Sequence, residues 1–260
     1  MNKNKERVDY LNWVPKNYLI ALTVFTSFFV FLTGLVHFNN PIVKIVSILI
    51  SMILVVITVY YYICYNKFSY RHGRVMRRLY RFIISKLCWN GEGKILDIGC
   101  GSGEFAILLS KKYDNAKVIG VDLWQHDKKG MERCEYNAKL EKASNIDFLK
   151  ADAVKLPFED NSFDSVVSNF TFSEVETKED RKELIKEALR VLKPGGKFAF
   201  HDMLEDKKLF GDMEEFIEVL QDLGISEIHY IPNVDKCTFM PQFLSTPLML
   251  NKLGILYGRK

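Results

Sequence analysis

Hydrophobic and polar positions divide the chain into two regimes. From Tyr18 to Phe38 no Lys, Arg, Asp or Glu occurs, and a second apolar run from Ile42 to Tyr65 is broken only by Lys44 near its start. About 20 apolar residues in helical form span the roughly 30 Å of a bilayer core. The intervening His37-Phe38-Asn39-Asn40-Pro41 is polar and carries a helix-stopping proline. The pattern therefore predicts a transmembrane helical hairpin over 18–65, with spans near 18–38 and 42–65. A cleaved signal peptide would have a shorter apolar region, about 7–15 residues, before a small-residue cleavage site. Buried core helices of a soluble protein are the other reading, and the length and near absence of charge speak against it.

From Gly73 to Trp89 the period changes. Val75, Met76, Leu79, Phe82, Ile83 and Leu87 recur at three- and four-residue steps with Arg74, Arg77, Arg78 and Arg81 between them, which predicts an amphipathic helix. Its basic face would meet headgroups, and its apolar face the domain or the membrane interface. After Gly91, strand-like and helix-like segments alternate, as in a parallel sheet covered on both faces. Strands are expected near Lys94–Ile98, Lys117–Val121, Ile146–Lys150, Phe163–Ser168, Lys197–His201, Glu227–Ile231 and Gly254–Tyr257. Helices are expected near Glu104–Lys112, Lys129–Glu141, Lys178–Leu192 and Asp212–Leu223. Pro194-Gly195-Gly196 would end the third of these helices and turn the chain into the fifth strand. Residues 232–253, with Pro232, Pro241 and Pro247, read as a long irregular segment. The resulting division is a terminal segment 1–17, the hairpin 18–65, a basic linker helix 66–90 and an α/β domain 91–260.

Charge sharpens this division. Residues 1–91 hold twelve Lys/Arg and two Asp/Glu, a net +10, whereas 92–260 hold twenty-four and thirty, a net −6. Lys3, Lys5, Arg7 and Lys16 precede the first span, and Lys67, Arg71, Arg74, Arg77, Arg78, Arg81 and Lys86 follow the second. By the positive-inside rule both termini and the α/β domain face the cytoplasm of a two-span, multi-pass cell-membrane protein. Anionic membrane lipids are the expected partner of the basic stretch. Five scattered cysteines and five scattered histidines give neither a disulfide framework nor a metal-ligand spacing, so no metal is expected.

The candidate chemistry lies at strand ends, because a doubly wound sheet holds its ligand beyond the carboxyl ends of its strands. Asp97, Gly99, Gly101 and Gly103 follow the first strand, Asp122 and Leu123 the second, Asp152 and Ala153 the third, and Asn169 and Phe170 the fourth. Glycines allow a sharp turn and close approach of a ligand to the backbone. A dinucleotide fingerprint needs glycine at the sixth position from Gly99, which is Glu104 here. A carboxylate fits poorly against a pyrophosphate. Asp97 suits a ligand bearing an ammonium, Asp122 a ribose hydroxyl pair, and Asp152 with the Ala153 N–H an adenine edge. S-adenosylmethionine has that chemistry. Any one of these acids alone is equally well a helix cap or a solvated turn.

Asp97-Ile98-Gly99-Cys100-Gly101-Ser102-Gly103, Val121-Asp122, Ala151-Asp152-Ala153-Val154-Lys155-Leu156-Pro157-Phe158, Asn161-Ser162-Phe163-Asp164 and Leu189-Arg190-Val191-Leu192-Lys193-Pro194-Gly195-Gly196 resemble the ordered motifs of class I S-adenosylmethionine-dependent methyltransferases. The similarity covers about residues 75–203 and leans toward the small-molecule and quinone-type branch. It implies a Rossmann-like seven-stranded sheet with the last strand antiparallel, placed here after two transmembrane helices. It implies that Asp97 and the glycines hold the methionine part, Asp122 the ribose, Asp152 and Ala153 the adenine, and that Asn169 and Phe170 border the transferable methyl. Glu174 and His201 are the candidates for activating an acceptor. Many relatives have a histidine where Ser173 stands, so no base carries over at that position, and a histidine ending a buried strand is more often structural. Phe170-Thr171-Phe172 lacks the prolines of the Asn-Pro-Pro-Tyr signature, which argues against nucleic-acid bases or glutamine as acceptor.

The expected activity is methyl transfer to an apolar or amphipathic small molecule such as a lipid, quinone or thiol. A catalytically inactive cofactor-binding scaffold and a nucleic-acid methyltransferase are the competing readings. The −6 charge of the domain opposes a nucleic-acid partner. The hairpin could deliver substrate, anchor, or form a homo-oligomer.

Overall fold

The computed structural model describes residues 7–36, 40–177 and 180–260. The turn at His37-Phe38-Asn39, Lys3 and Lys5, and the expected helix start at Lys178 lie outside the described residues. The chain forms two compact units, one of residues 11–76 and one of the residues up to Tyr10 together with Arg77–Lys260.

The first unit is an antiparallel helix pair, α1 (Lys16–Leu35) and α2 (Pro41–Phe68). Asn40 caps α2, accepting from the Ile42 N–H at 2.9 Å, and Pro41 occupies the first turn, where its missing N–H costs nothing. The helices meet through hydroxyls: Thr26 Oγ1 lies 2.8 Å from Thr58 Oγ1, and Ser51 Oγ donates to Thr33 Oγ1 at 3.2 Å. Both helices are long and apolar enough to cross a membrane. Their outward side chains, Phe25, Phe28, Phe31, Leu49, Met52 and Val56 among them, are exposed rather than packed in a protein core.

In the second unit, α3 (Val75–Leu87) turns Leu79, Ile83, Ile84 and Leu87 inward, all at most 4% exposed. Its apolar face therefore packs on the domain. A seven-stranded sheet follows, β1 (Gly93–Ile98), β2 (Ala116–Asp122), β3 (Ile146–Lys150), β4 (Phe163–Asn169), β5 (Leu192–Asp202), β6 (Glu227–Ile231) and β7 (Gly254–Arg259), in the order β3-β2-β1-β4-β5-β7-β6. β7 pairs antiparallel with both β5 and β6, and the other pairings are parallel. Helices α4 (Glu104–Lys112), α5 (Gly130–Glu141), α6 (Arg181–Arg190), the short α7 (Lys207–Phe210) and α8 (Met213–Asp222) cross over between the strands. The core fills with Phe163, Phe172, Phe198, Phe200, Phe210 and Phe216, each essentially unexposed. Burial of each contributes about 2–3 kcal/mol of transfer free energy.

One expectation fails locally. Pro194-Gly195-Gly196 does not end a helix, because α6 already stops at Arg190. The triplet forms a bulge within β5, whose pairing jumps from Phe163↔Leu192 to Ser165↔Lys197. A Cβ on Gly196 would stand 2.6 Å from Leu192 Cδ1, so the bulge closes only over glycine. Residues 232–253 are less irregular than their prolines suggest, containing two short 3-10 helices, Val234–Lys236 and Gln242–Leu244. Strand order reverses between β1 and β4, and a crevice opens beyond the carboxyl ends of strands at such a switch point.

Candidate active site

The glycine turn enters this crevice from β1. Gly99, Gly101 and Gly103 have φ of +74°, +55° and +84°, a region that side chains strongly disfavour. A Cβ on Gly99 would lie 1.9 Å from Thr171 Oγ1, so that glycine lets β1 and the turn after β4 close on each other. A Cβ on Gly101 would meet nothing within 4 Å, so that glycine leaves open space over the backbone. The turn's donors are already engaged. Gly99 and Cys100 donate to the Val121 carbonyl at 2.8 and 3.0 Å, Gly103 to the Cys100 carbonyl at 2.8 Å, and Gly101 to Asp122 Oδ2 at 2.9 Å. A phosphate cradle would keep such N–H groups for its ligand. Here they tie the turn to β2, in keeping with Glu104 at the sixth position.

Three acids surround the turn in different states. Asp97 is 1% exposed, accepts from the Ala106 N–H, and leaves Oδ2 without a partner. Burial first and the charge of Asp122 second push its carboxyl well above the usual carboxylate range. A buried oxygen of this kind is costly until a donor or cation reaches it. Asp122 is held in plane by two backbone donors, Gly101 N–H on Oδ2 and Trp124 N–H on Oδ1 at 2.7 Å. Each oxygen keeps a further lone pair for a vicinal hydroxyl pair. Leu123 beside it is 37% exposed, an apolar surface on which a flat ring can lie. Asp152 is exposed and closes an Asx turn by accepting from the Val154 N–H at 2.9 Å, a role that alone would place an acid there. Ala153 beside it is half-buried.

Beyond β4, Asn169 Oδ1 and His201 Nδ1 are 2.9 Å apart, with the ring nitrogen donating to the amide oxygen. Phe170 has a φ of +56°, donates its N–H to the His201 carbonyl at 2.9 Å, and stands edge-on to the imidazole at 4.9 Å. An aromatic residue in this backbone region is strained. His201 is 1% exposed, and burial lowers its pKa to about 3, so the ring is neutral with Nε2 unpartnered. Asp202 accepts from the Phe172, Ser173 and Met203 N–H groups at 2.8, 3.2 and 2.8 Å and fixes the turn that follows β4. Burial raises its pKa to about 6. Glu174 is exposed in that same turn, its N–H donating to the Thr171 carbonyl at 3.1 Å. Glu174 and His201, both singled out from the sequence, thus occupy different settings and do not form an acid–base pair.

Several contributors were not legible in the motifs. The Trp124 indole donates to the Gly101 carbonyl at 2.7 Å. Tyr80 of α3 stacks on Phe105, with centroids 4.8 Å apart, and burial together with the charges of Glu104 and Asp97 raises its pKa. Glu104, pushed up to about 7 chiefly by burial, lies 3.8 Å from Arg77. Asn137 of α5, wholly buried, accepts from the Asp9 N–H at 2.7 Å and donates to the carbonyls of Asp9 and Ser102, both at 3.0 Å. Arg133 adds a 2.9 Å contact to the Asp9 carboxylate. Residues 8–10 are thereby fastened across α5 beside the glycine turn. An asparagine in mid-helix, where its propensity is poor, was the available signal. A separate open hollow of about 610 Å³, lined by Gly93, Asp164, Lys193 and Arg259 among others, includes none of these residues.

Residues 96–200 match the family model described as a methyltransferase domain. The chain is 34% identical over 121 residues to a ubiquinone/menaquinone biosynthesis C-methyltransferase of Desulfotalea psychrophila, covering 46% of each chain. It is 28% identical over 194 residues to the enzyme of the same name from Rickettsia felis, covering 60% of this chain and 77% of that one. The chain spans about half the length of several of the curated relatives it matches. A phosphoethanolamine N-methyltransferase 2 of Haemonchus contortus, solved with S-adenosyl-L-methionine, superposes with a TM-score of 0.53 at 18% identity, over 70% of this chain and 52% of that one, and shows the shared fold. The matched segment 96–200, the strand order and the shared fold agree in making this α/β unit similar to S-adenosylmethionine-dependent methyltransferase domains.

Proposed function

We propose that the protein is a membrane-anchored methyltransferase that transfers a methyl group from S-adenosylmethionine to an apolar or amphipathic small molecule, a lipid, quinone or thiol, on the cytoplasmic side. The observation that carries this reading is the unpartnered, fully buried Asp97 Oδ2 at the end of β1, leading into a glycine turn in which Gly101 faces open space and holds Asp122 by its N–H. An ammonium satisfies the first acid and a ribose the second. When bound, the cofactor supplies an electrophilic methyl on a sulfonium.

The remaining work belongs to this chain. Asp97 anchors the amino-acid end, and Asp122 fixes the sugar. Leu123 and Ala153 hold the base, and Asn169 with Phe170 bounds the methyl end. In-line displacement gains chiefly from holding nucleophile and carbon in line while water is excluded, so a dedicated base is optional. A neutral, buried His201 and an exposed Glu174 suit an acceptor that supplies its own nucleophilic form, such as a thiolate or a quinol anion. The relatives named for quinone methylation and the apolar hairpin support an acceptor that shares the bilayer.

Isothermal titration of the full-length protein in detergent with S-adenosylmethionine tests the core of the reading. Binding is expected, and Asp122→Ala weakens it about tenfold to a hundredfold, as for loss of charge-assisted hydrogen bonds worth about 1.5–3 kcal/mol. Absence of binding, or binding indifferent to the substitution, would sink it. Conversion to S-adenosylhomocysteine on adding native membrane lipid extract identifies an enzyme, and binding without conversion selects the inactive scaffold.

A further inference from the structure

The outward side of α3 and the segment between β6 and β7 share a surface. Phe82 packs on Phe239 with centroids 4.9 Å apart, and Lys86 Nζ reaches over the rings of Phe82 and Tyr257 at 5.4 and 5.7 Å. Positions 78, 81, 82 and 85 fall on one side of α3, opposite the buried Leu79, Ile83 and Leu87. Arg78 and Arg81 there are exposed, and among the described residues neither has an ion-pair partner. Within 232–253 the exposed charges are Lys236 and Lys252, the latter paired with Asp206 at 3.0 Å. The segment's one acid, Asp235, is 3% exposed and turned inward to the Ser245 hydroxyl and the Leu253 N–H. Phe243 and Leu248 remain 40% and 65% exposed. On a domain whose residues 92–260 carry a net −6, this face is basic and apolar together.

We propose that this face, formed by Arg78 and Arg81 of α3 with Lys236, Phe243 and Leu248 of the β6–β7 segment, rests on an anionic bilayer surface with Phe243 and Leu248 among the lipids. The inference depends on the membrane-anchor reading above and names the surface through which the catalytic unit meets the membrane. Basic side chains near an anionic leaflet contribute about 1 kcal/mol each, and apolar side chains lodge at the headgroup boundary. An acidic protein or nucleic acid would match the arginines but leave Phe243 and Leu248 in water. Only residues 69–76 separate α2 from Arg77, so a bilayer that holds α2 keeps α3 on a short tether. β6 runs in the same direction as β4 and β5, because β7 is antiparallel to both β5 and β6. The segment that leaves the carboxyl end of β6 therefore starts on the crevice side of the sheet, where an acceptor arriving from lipid would reach Asn169 and Phe170.

The test uses full-length protein in nanodiscs, with Leu248→Cys carrying an environment-sensitive fluorophore in a Cys88→Ser, Cys237→Ser background. Lipids with brominated acyl chains are expected to quench the label in phosphatidylglycerol-containing discs, with quenching reduced at least severalfold by raised salt or by Arg78→Glu with Arg81→Glu. No quenching, or equal quenching in purely phosphatidylcholine discs, overturns the proposal. A label shielded only at high protein concentration, with cross-links between copies, overturns it in favour of a second copy. Cofactor titration of the same discs is read separately: quenching without binding refutes the methyltransferase reading and leaves the docking surface, and failure of the chain to enter discs refutes the anchor.

Discussion

His201 and Asp202 are neighbours in β5 and titrate in opposite senses. The His201 pKa is lowered from 6.5 to about 3, so between those values the unfolded chain binds more protons and stability falls as pH drops. The Asp202 pKa is raised from 3.8 to about 6, so over that interval the folded chain binds more protons and stability falls as pH rises. Between about pH 4 and 6 the two slopes oppose each other. His201→Gln removes one of them. The variant is expected to gain stability relative to the parent as pH falls from 6.5 to 4, on the order of 3 kcal/mol, read as thermal unfolding followed by intrinsic fluorescence. An unchanged difference across that range would refute the neutral assignment. At this scale the acids were legible because each lies within two residues of a strand's end, and a strand end is a position in the sequence. The partners that give each acid its state were not. Nothing in the order of residues says that Trp124 and Gly101 clamp Asp122 or that Asp97 keeps one oxygen bare.

At the scale of elements, hydrophobic period located the helices and strands, since α3, β1 and β3 follow directly from spacing. The bulge in β5 was misread as a helix stop because proline and glycine mark both, and only pairing with β4 distinguishes them. The fastening of residues 8–10 was also out of reach, since Asp9 and Asn137 are 128 positions apart. Asn137→Ala removes both hydrogen bonds to Asp9 and the one to Ser102, leaving buried backbone groups unpaired. A loss of about 1–3 kcal/mol in stability is expected, with faster hydrogen exchange in residues 8–10 and weaker cofactor binding. Intact protection of that segment would show that Arg133 alone holds it.

For the whole molecule, the contrast between a basic N-terminal part and an acidic domain is visible in composition, whereas the proposed basic face of the domain required the packing of Phe82 on Phe239. The proposed orientation predicts which side of a membrane reaches Cys88, which is exposed while Cys64, Cys100 and Cys134 are buried. A membrane-impermeant maleimide is expected to label Cys88 in inside-out vesicles and to leave it unlabelled in sealed right-side-out ones. Labelling in the reverse pattern would place the domain outside.

The antiparallel β7, lodged between β5 and β6, has a consequence for biosynthesis. Residues 254–259 leave the ribosome after the six other strands of the sheet, yet among the described residues β6 pairs in the sheet with β7 alone. Until they emerge, β5 keeps an open edge and β6 has nothing to pair with, a stage at which unpaired strands invite aggregation. By then α1 and α2 are long synthesised. The half of the sheet that bears Asp97 and Asp122 can be complete while the half beside the β6–β7 segment is still waiting, so under the proposed anchoring the nascent domain would finish folding while already tethered to a membrane.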